Sequence, residues 1–172
     1  MTPAKNILTN ACRSKRALPV LLMLLLLNCQ VQAQSKYVKK YRQLADSLSA
    51  IYEIPASIIL GVAIVESGGG NSRNAKLLHN HFGIVGKNNL LKTKGIKSRY
   101  KQYSNVAASY DDFCKLLSRR KFYQTLKGKT DYHLWTEAIS KTGYSEAPAE
   151  WKKRINATIR KNKLATAPRK ES

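Results

Sequence analysis

A chain of 172 residues is long enough for one ordinary domain with a core and too short for two of the usual size. Its apolar fraction of 43% and charged fraction of 24% exclude wholesale disorder and a multi-span membrane protein. With 31 Lys+Arg against 10 Asp+Glu the formal charge is +21, which attracts nucleic acid, anionic lipid or an acidic cell-wall polymer without choosing among them.

The chain opens with Lys5, Arg13, Lys15 and Arg16 and no acid, followed by the apolar run Ala17–Leu27. Such a run suits the core of an export signal and is too short to span a bilayer. Val31-Gln32-Ala33 fits a signal peptidase site, which makes 1–33 a signal peptide and Gln34 the new N-terminus. Leu26-Leu27-Asn28-Cys29 approximates a lipobox, but Asn28 stands where a small residue is expected, so lipid anchoring through Cys29 is the minor alternative. The expected destination is the periplasm or the cell exterior, with no transmembrane span in the mature chain. Removing the leader's four cations leaves +17, and Cys114 becomes the sole cysteine, so no internal disulfide can form.

Tyr37, Tyr41, Leu44, Leu48 and Ile51 recur at helical spacing, with Lys39, Lys40, Arg42 and Gln43 on the opposite face. Pro55 suits the first turn of a second helix, whose run Ile58–Val65 is apolar on every side and therefore central. That helix ends at Glu66-Ser67, and Gly68, Gly69 and Gly70 then allow backbone conformations other residues avoid. Asn74–Leu78 reads as a short helix, and His79–Ile84 as a loop. The stretch from Gly86 to Tyr103, with its partial alternation Ile96–Tyr100, reads as a small exposed β-hairpin containing no acid. Helical periodicity returns at Val106–Leu117, at Leu134–Thr142 and at Trp151, Ile155 and Ile159, before a basic tail, 165–172, without apolar period. The expected class is mainly α (α+β), one helical domain over 34–164 with a small β-hairpin lobe.

Glu66 is the carboxylate whose setting calls for chemistry. It follows an apolar run directly and lies at a helix C-terminus, and both circumstances disfavour the ionised form. A carboxyl with raised pKa is a general acid, although a helix emerging into water also ends on an idle, solvated acid. His79 and His81 invite a metal, yet no further ligands follow at suitable spacing, so neither metal nor cofactor is expected.

The segment Ala63-Ile64-Val65-Glu66-Ser67-Gly68-Gly69-Gly70 resembles the A-x-x-E-S-G-x-G segment of glucosaminidase domains of glycoside hydrolase family 73, of mannosyl-glycoprotein endo-beta-N-acetylglucosaminidase type. Asn80-His81-Phe82-Gly83-Ile84 resembles the family's N-x-F-G-I motif. Tyr103 with Ser109–Phe113 is similar to its Y-x-s and S-f-x-d stretch, and Gly143-Tyr144-Ser145 to its G-Y-A triplet. The resemblance runs in one order from Leu44 to Ile159. It implies a lysozyme-like fold cleaving the β-1,4 bond after N-acetylglucosamine in peptidoglycan, by a protein expected to act as a monomer without a specific nucleic-acid partner. Glu66 takes the general acid's place and Tyr144 that of a catalytic aromatic near it, stabilising the oxocarbenium-like state or the substrate's acetamido group, with core packing the other reading of Tyr144. Gly68, Gly69, Asn80, Phe82, Gly83 and Tyr103 fall at substrate-binding positions. Two departures stand out: Gly69 replaces a common aromatic, and the hairpin lacks the second acid proposed for the family. Either Asp111, Asp131 or Glu146 supplies that group, or the substrate's own acetamido group assists. A non-catalytic wall or polyanion binder of the same fold, and a lytic transglycosylase, are the alternative functions.

Overall fold

The computed structural model describes residues 36–165, so the leader, Cys29, Gln34 and the tail beyond Ala165 lie outside the described residues. Among the described residues eight helices follow in order: α1 (36–52), α2 (Ala56–Ser67), α3 (Arg73–Leu78), α4 (Leu90–Lys94), α5 (Val106–Ser118), α6 (Tyr123–Leu126), α7 (Tyr132–Ser140) and α8 (Pro148–Lys161). Among the described residues no helix is long and apolar enough to cross a membrane.

Helix α2 is the axis of the domain because it has no polar face to show to water. Ser57 through Ile64 are all buried, and α5, α7 and α8 pack around them. Each large aliphatic side chain enclosed in this way contributes about 1.5–3 kcal/mol relative to exposure. The surrounding helices are amphipathic and supply the matching walls: Tyr110, Phe113 and Leu117 from α5, Trp135 and Ile139 from α7, Trp151, Ile155 and Ile159 from α8. Contact with α8 is closest at Gly61, where an added Cβ would lie 2.8 Å from Ile159 Cγ1. Cys114 is buried in the same core, and burial, with Asp111 beside it, pushes its thiol up to about 12, so it is an inert apolar residue.

The β-hairpin expected between Gly86 and Tyr103 does not form. Among the described residues there is no strand, only one isolated antiparallel bridge between Val85 and Tyr100, and the turn of the would-be hairpin is the short helix α4. The physical reason lies in Asn88. Its side-chain amide donates to the Ser98 and Tyr100 carbonyls at 2.9 and 2.8 Å, and its Oδ1 accepts from Leu90 N–H at 3.0 Å. A side chain thus satisfies the carbonyls a partner strand would have taken, and then starts a helix. Ile51, placed on the apolar face of α1 by its spacing, is 69% exposed.

Gly61 offers a test of the α2–α8 contact. Gly61→Ala should lower stability by about 1–3 kcal/mol through overpacking, less the few tenths to 1 kcal/mol that Ala gains as a helix former. Chemical denaturation of the single and double variants should give Gly61→Ala/Ile159→Ala a smaller loss than the sum of the singles; strict additivity would show that the two side chains do not meet.

Candidate functional site

Helix α2 ends in a way that presents its last acid. Gly68 (φ 57°), Gly69 (φ 63°) and Gly70 (φ 82°) are all left-handed, a run that L side chains adopt only at a cost of about 1–2 kcal/mol each. The Gly69 N–H closes back on the Ile64 carbonyl at 2.9 Å, and Ser67 Oγ donates to the Ala63 carbonyl while accepting from Gly70 N–H at 2.8 Å. The turn is therefore fixed, yet nothing lies within 4 Å of an added Cβ at Gly69 and only the Ser72 nitrogen, at 3.9 Å, at Gly68. Backbone is held open to a ligand where a side chain would otherwise stand.

Glu66 is half-buried beside this turn. Trp151 of α8 donates its indole N–H to Glu66 Oε1 at 2.7 Å, and Oε2 faces Gly83, where an added Cβ would lie 3.7 Å away. Burial raises the carboxyl's pKa above the ordinary carboxylate value, and the Trp151 hydrogen bond and the positive charge of Arg154 offset only part of that rise. Trp151 and Arg154 were not foreseen as site residues. The periodicity that marked Trp151 as core is also what aims it at α2, and its indole N–H, which needs an acceptor when buried, was the available signal.

The loop after α3 forms the opposite wall. Asn80, at 1% exposure, spends its amide inside the protein: Nδ2 donates to the Ile84 and Lys101 carbonyls, both at 2.8 Å, and Oδ1 accepts from the Phe82 and Ile84 N–H groups at 3.3 and 3.1 Å. Phe82, also 1% exposed, stacks on Phe113 with ring centroids 4.3 Å apart. Tyr103 is buried too and donates to Asp112 Oδ2 at 2.7 Å. These three residues, expected against substrate from the motifs, are instead turned inward, while Gly83 alone of that loop's expected residues borders the acid.

Tyr144 is half-buried between Trp151 and Phe113 and donates its hydroxyl to the Phe82 carbonyl at 2.6 Å. Burial and then the charge of Glu66 hold its pKa well above the ordinary tyrosine value, so it remains a neutral phenol. It ties the segment before α8 to the loop beside Glu66. A second tie joins α1: the Tyr37 hydroxyl lies 2.5 Å from His81 Nδ1 and 2.7 Å from the Tyr110 hydroxyl, and the Tyr37 ring would meet a Cβ on Gly70 at 3.1 Å. Burial, with His79 and Lys40 nearby, lowers His81 to about 4, leaving a neutral imidazole at pH 7.

The other acids named from sequence are engaged elsewhere. Asp111 accepts from Tyr52 at 2.6 Å and pairs with Lys115 at 2.6 Å; burial pushes its pKa up, but these partners outweigh it and the net shift is downward. Asp131 caps α7 by accepting from His133 N–H at 2.8 Å, and Glu146 is exposed in the segment before α8. None of them figures among the groups that shift Glu66, which are burial, Trp151 and Arg154. Among the described residues no three His, Cys, Asp or Glu side chains are grouped to hold a metal ion.

The sequence pattern of the glucosaminidases, described as mannosyl-glycoprotein endo-beta-N-acetylglucosaminidase, matches residues 42–164. The exo-glucosaminidase LytG of Bacillus subtilis is 27% identical over 152 residues, covering 78% of this chain and 54% of its own length, so the chain spans about half of that relative. The catalytic domain of the autolysin Auto from Listeria monocytogenes has a similar fold, with a TM-score of 0.64 at 21% identity over 77% of this chain and 86% of that domain. A chain in a type VI secretion effector-immunity complex from Pseudomonas protegens follows at 0.56 and 19%, covering 76% and 94%.

The Trp151 contact makes a prediction that needs no substrate. In carboxyl-detected NMR titration, Glu66 should titrate above the usual glutamate value of about 4.3. Trp151→Phe removes the donor that stabilises the charged form, so the midpoint should move further up; a midpoint that stays or falls would show that the indole does not control the acid.

Proposed function

The chain belongs to the glucosaminidase family, a family of glycoside hydrolases, and from that premise we propose that it is an exported peptidoglycan hydrolase cleaving the β-1,4 bond after N-acetylglucosamine, with Glu66 as general acid. The observation that carries this reading is Glu66 itself: a half-buried carboxyl with raised pKa, gripped on one oxygen by Trp151, beside a glycine turn held open. Export rests on the leader read at 1–33, and the periplasm or cell exterior is where such a substrate lies.

In this reading the Gly68-Gly69 backbone admits the glycan close to the acid, and Gly83 leaves room on its other side. The Glu66 proton passes to the glycosidic oxygen as the bond to the anomeric carbon breaks, a transfer that a raised carboxyl pKa favours. The charge developing on the sugar ring needs a partner. Asp111 and Asp131 are committed to other contacts and Glu146 is exposed before α8, which supports the substrate's own acetamido group as that partner, with water completing hydrolysis. Asn80, Phe82, Tyr103 and Tyr144 act on the shape of the wall. Tyr144 is a positioning residue that fixes the carbonyl of Phe82 next to Gly83.

Glu66→Gln should lower turnover on peptidoglycan by about 10² to 10⁴ while binding persists. Tyr144→Phe should lose less, and Asp111→Ala, Asp131→Ala and Glu146→Ala should each stay close to the parent, with circular-dichroism melts showing intact folds. Mass spectrometry of the products should find N-acetylglucosamine at the new reducing end; anhydro-muramic ends would identify a transglycosylase, and undiminished cleavage by Glu66→Gln would overturn the assignment.

A further inference from the structure

The segment from Ile84 to Gln102 is basic along its whole length and begins beside Glu66. Lys87, Lys92, Lys94, Lys97 and Arg99 are all exposed, and no acid occurs between Ile84 and Tyr103. Some cations outside it sit beside carboxylates, as in Arg42–Asp46 at 3.1 Å, Lys115–Asp111 at 2.6 Å and Lys127–Glu53 at 3.0 Å. In this segment only Lys101 is paired, with Asp112 at 2.7 Å, while Arg99 lies over the Tyr100 ring at 5.7 Å. Among the described residues Lys87, Lys92, Lys94 and Lys97 have no ion pair, and like charges so close together reinforce one another's field.

The segment is a defined structure rather than a loose basic loop. Asn88 clasps its two arms, the Gly86 N–H bonds to the Arg99 carbonyl at 2.9 Å, and the Lys101 N–H bonds to the Ile84 carbonyl at 2.8 Å. Its root adjoins the acid, because Ile84 directly follows Gly83, the residue facing Glu66 Oε2.

We propose that this segment recognises the carboxylates of the peptide stems on peptidoglycan, so that the protein favours strands with free stem carboxylates over strands in which they are amidated. The proposal rests on the peptidoglycan reading above and adds the substrate feature selected. Four of the five exposed cations are lysines, compact point charges on flexible stems, which suit anions scattered along mobile peptides better than the rigid, two-pronged fork with which arginine fixes a single carboxylate or phosphate. Readers of single-stranded nucleic acid add open aromatic platforms for bases. Here the segment's aromatic, Tyr100, is half-buried and covered by Arg99.

The test is co-sedimentation of the purified protein with insoluble peptidoglycan, either untreated or with its carboxyls converted to amides by carbodiimide and ammonia. Untreated wall should bind roughly tenfold more tightly at about 0.05 M salt, and the difference should shrink at about 0.5 M, where screening is strong. The Lys92→Gln/Lys94→Gln/Lys97→Gln variant should bind both walls alike, at the level of the parent on amidated wall. Equal binding of the parent to both walls would overturn the proposal, and that comparison needs no variant to fold. A triple variant that folds and still discriminates would overturn it as well, as would a homopolymer RNA that displaces the protein from untreated wall at equal charge concentration. Sedimentation requires no turnover, so a failure of this proposal and a failure of Glu66 as the acid are seen in separate assays.

Discussion

Everything at the candidate site depends on a helix that cannot show any side to water. Because α2 is apolar all round, the domain closes over it, and the acid at its last turn is carried into surroundings that penalise its charge. A helix with one polar face would have delivered the same glutamate to solvent with an ordinary pKa. The chemistry is thus set by the composition of a whole helix rather than by neighbours of Glu66 alone. Trp151 moderates the effect: its indole N–H satisfies one carboxylate oxygen, so the ionised form is disfavoured without being left unpartnered.

Around that acid the site is assembled from segments distant in sequence, and each is tied to the next through a backbone or buried group. Tyr144 reaches across 62 residues to the Phe82 carbonyl, and Tyr37 joins α1 to His81 and Tyr110. Asn80 closes its own loop and at the same time anchors Lys101, the far arm of the basic segment. The polar side chains of this wall are consumed in holding it, which leaves Glu66, the glycine backbone and the outer cations to meet a ligand.

Periodicity made the helices at 36–52, 56–67, 106–118, 132–140 and 148–161 legible, because each buries a stripe or a whole surface that repeats at helical spacing. Glu66 and the glycine turn were legible for the same reason, as an abrupt end to an apolar run. The motif residues Asn80, Phe82 and Tyr103 were visible as a pattern but not as inward-facing groups, since a motif states which residues recur and not which way they point. The hairpin failed on a single side chain: alternation at Ile96–Tyr100 signals extended chain, but the amide of Asn88 took the hydrogen bonds a strand needs. The partnership of Trp151 with Glu66 spans 85 residues and depends on how α8 lies on α2, a matter of packing at Gly61 that no local pattern records.

If Glu66 is the proton donor proposed above, burial favours its protonated form by raising its pKa, and the most direct measurement is the pH dependence of kcat/KM set beside the titration of that same carboxyl. A proton donor works while protonated, so activity should fall as pH rises through the Glu66 midpoint, and the falling limb should follow the midpoint upward when Trp151 is replaced by Phe. An alkaline limb that lies elsewhere, or that stays in place while the carboxyl's midpoint moves, would contradict the account.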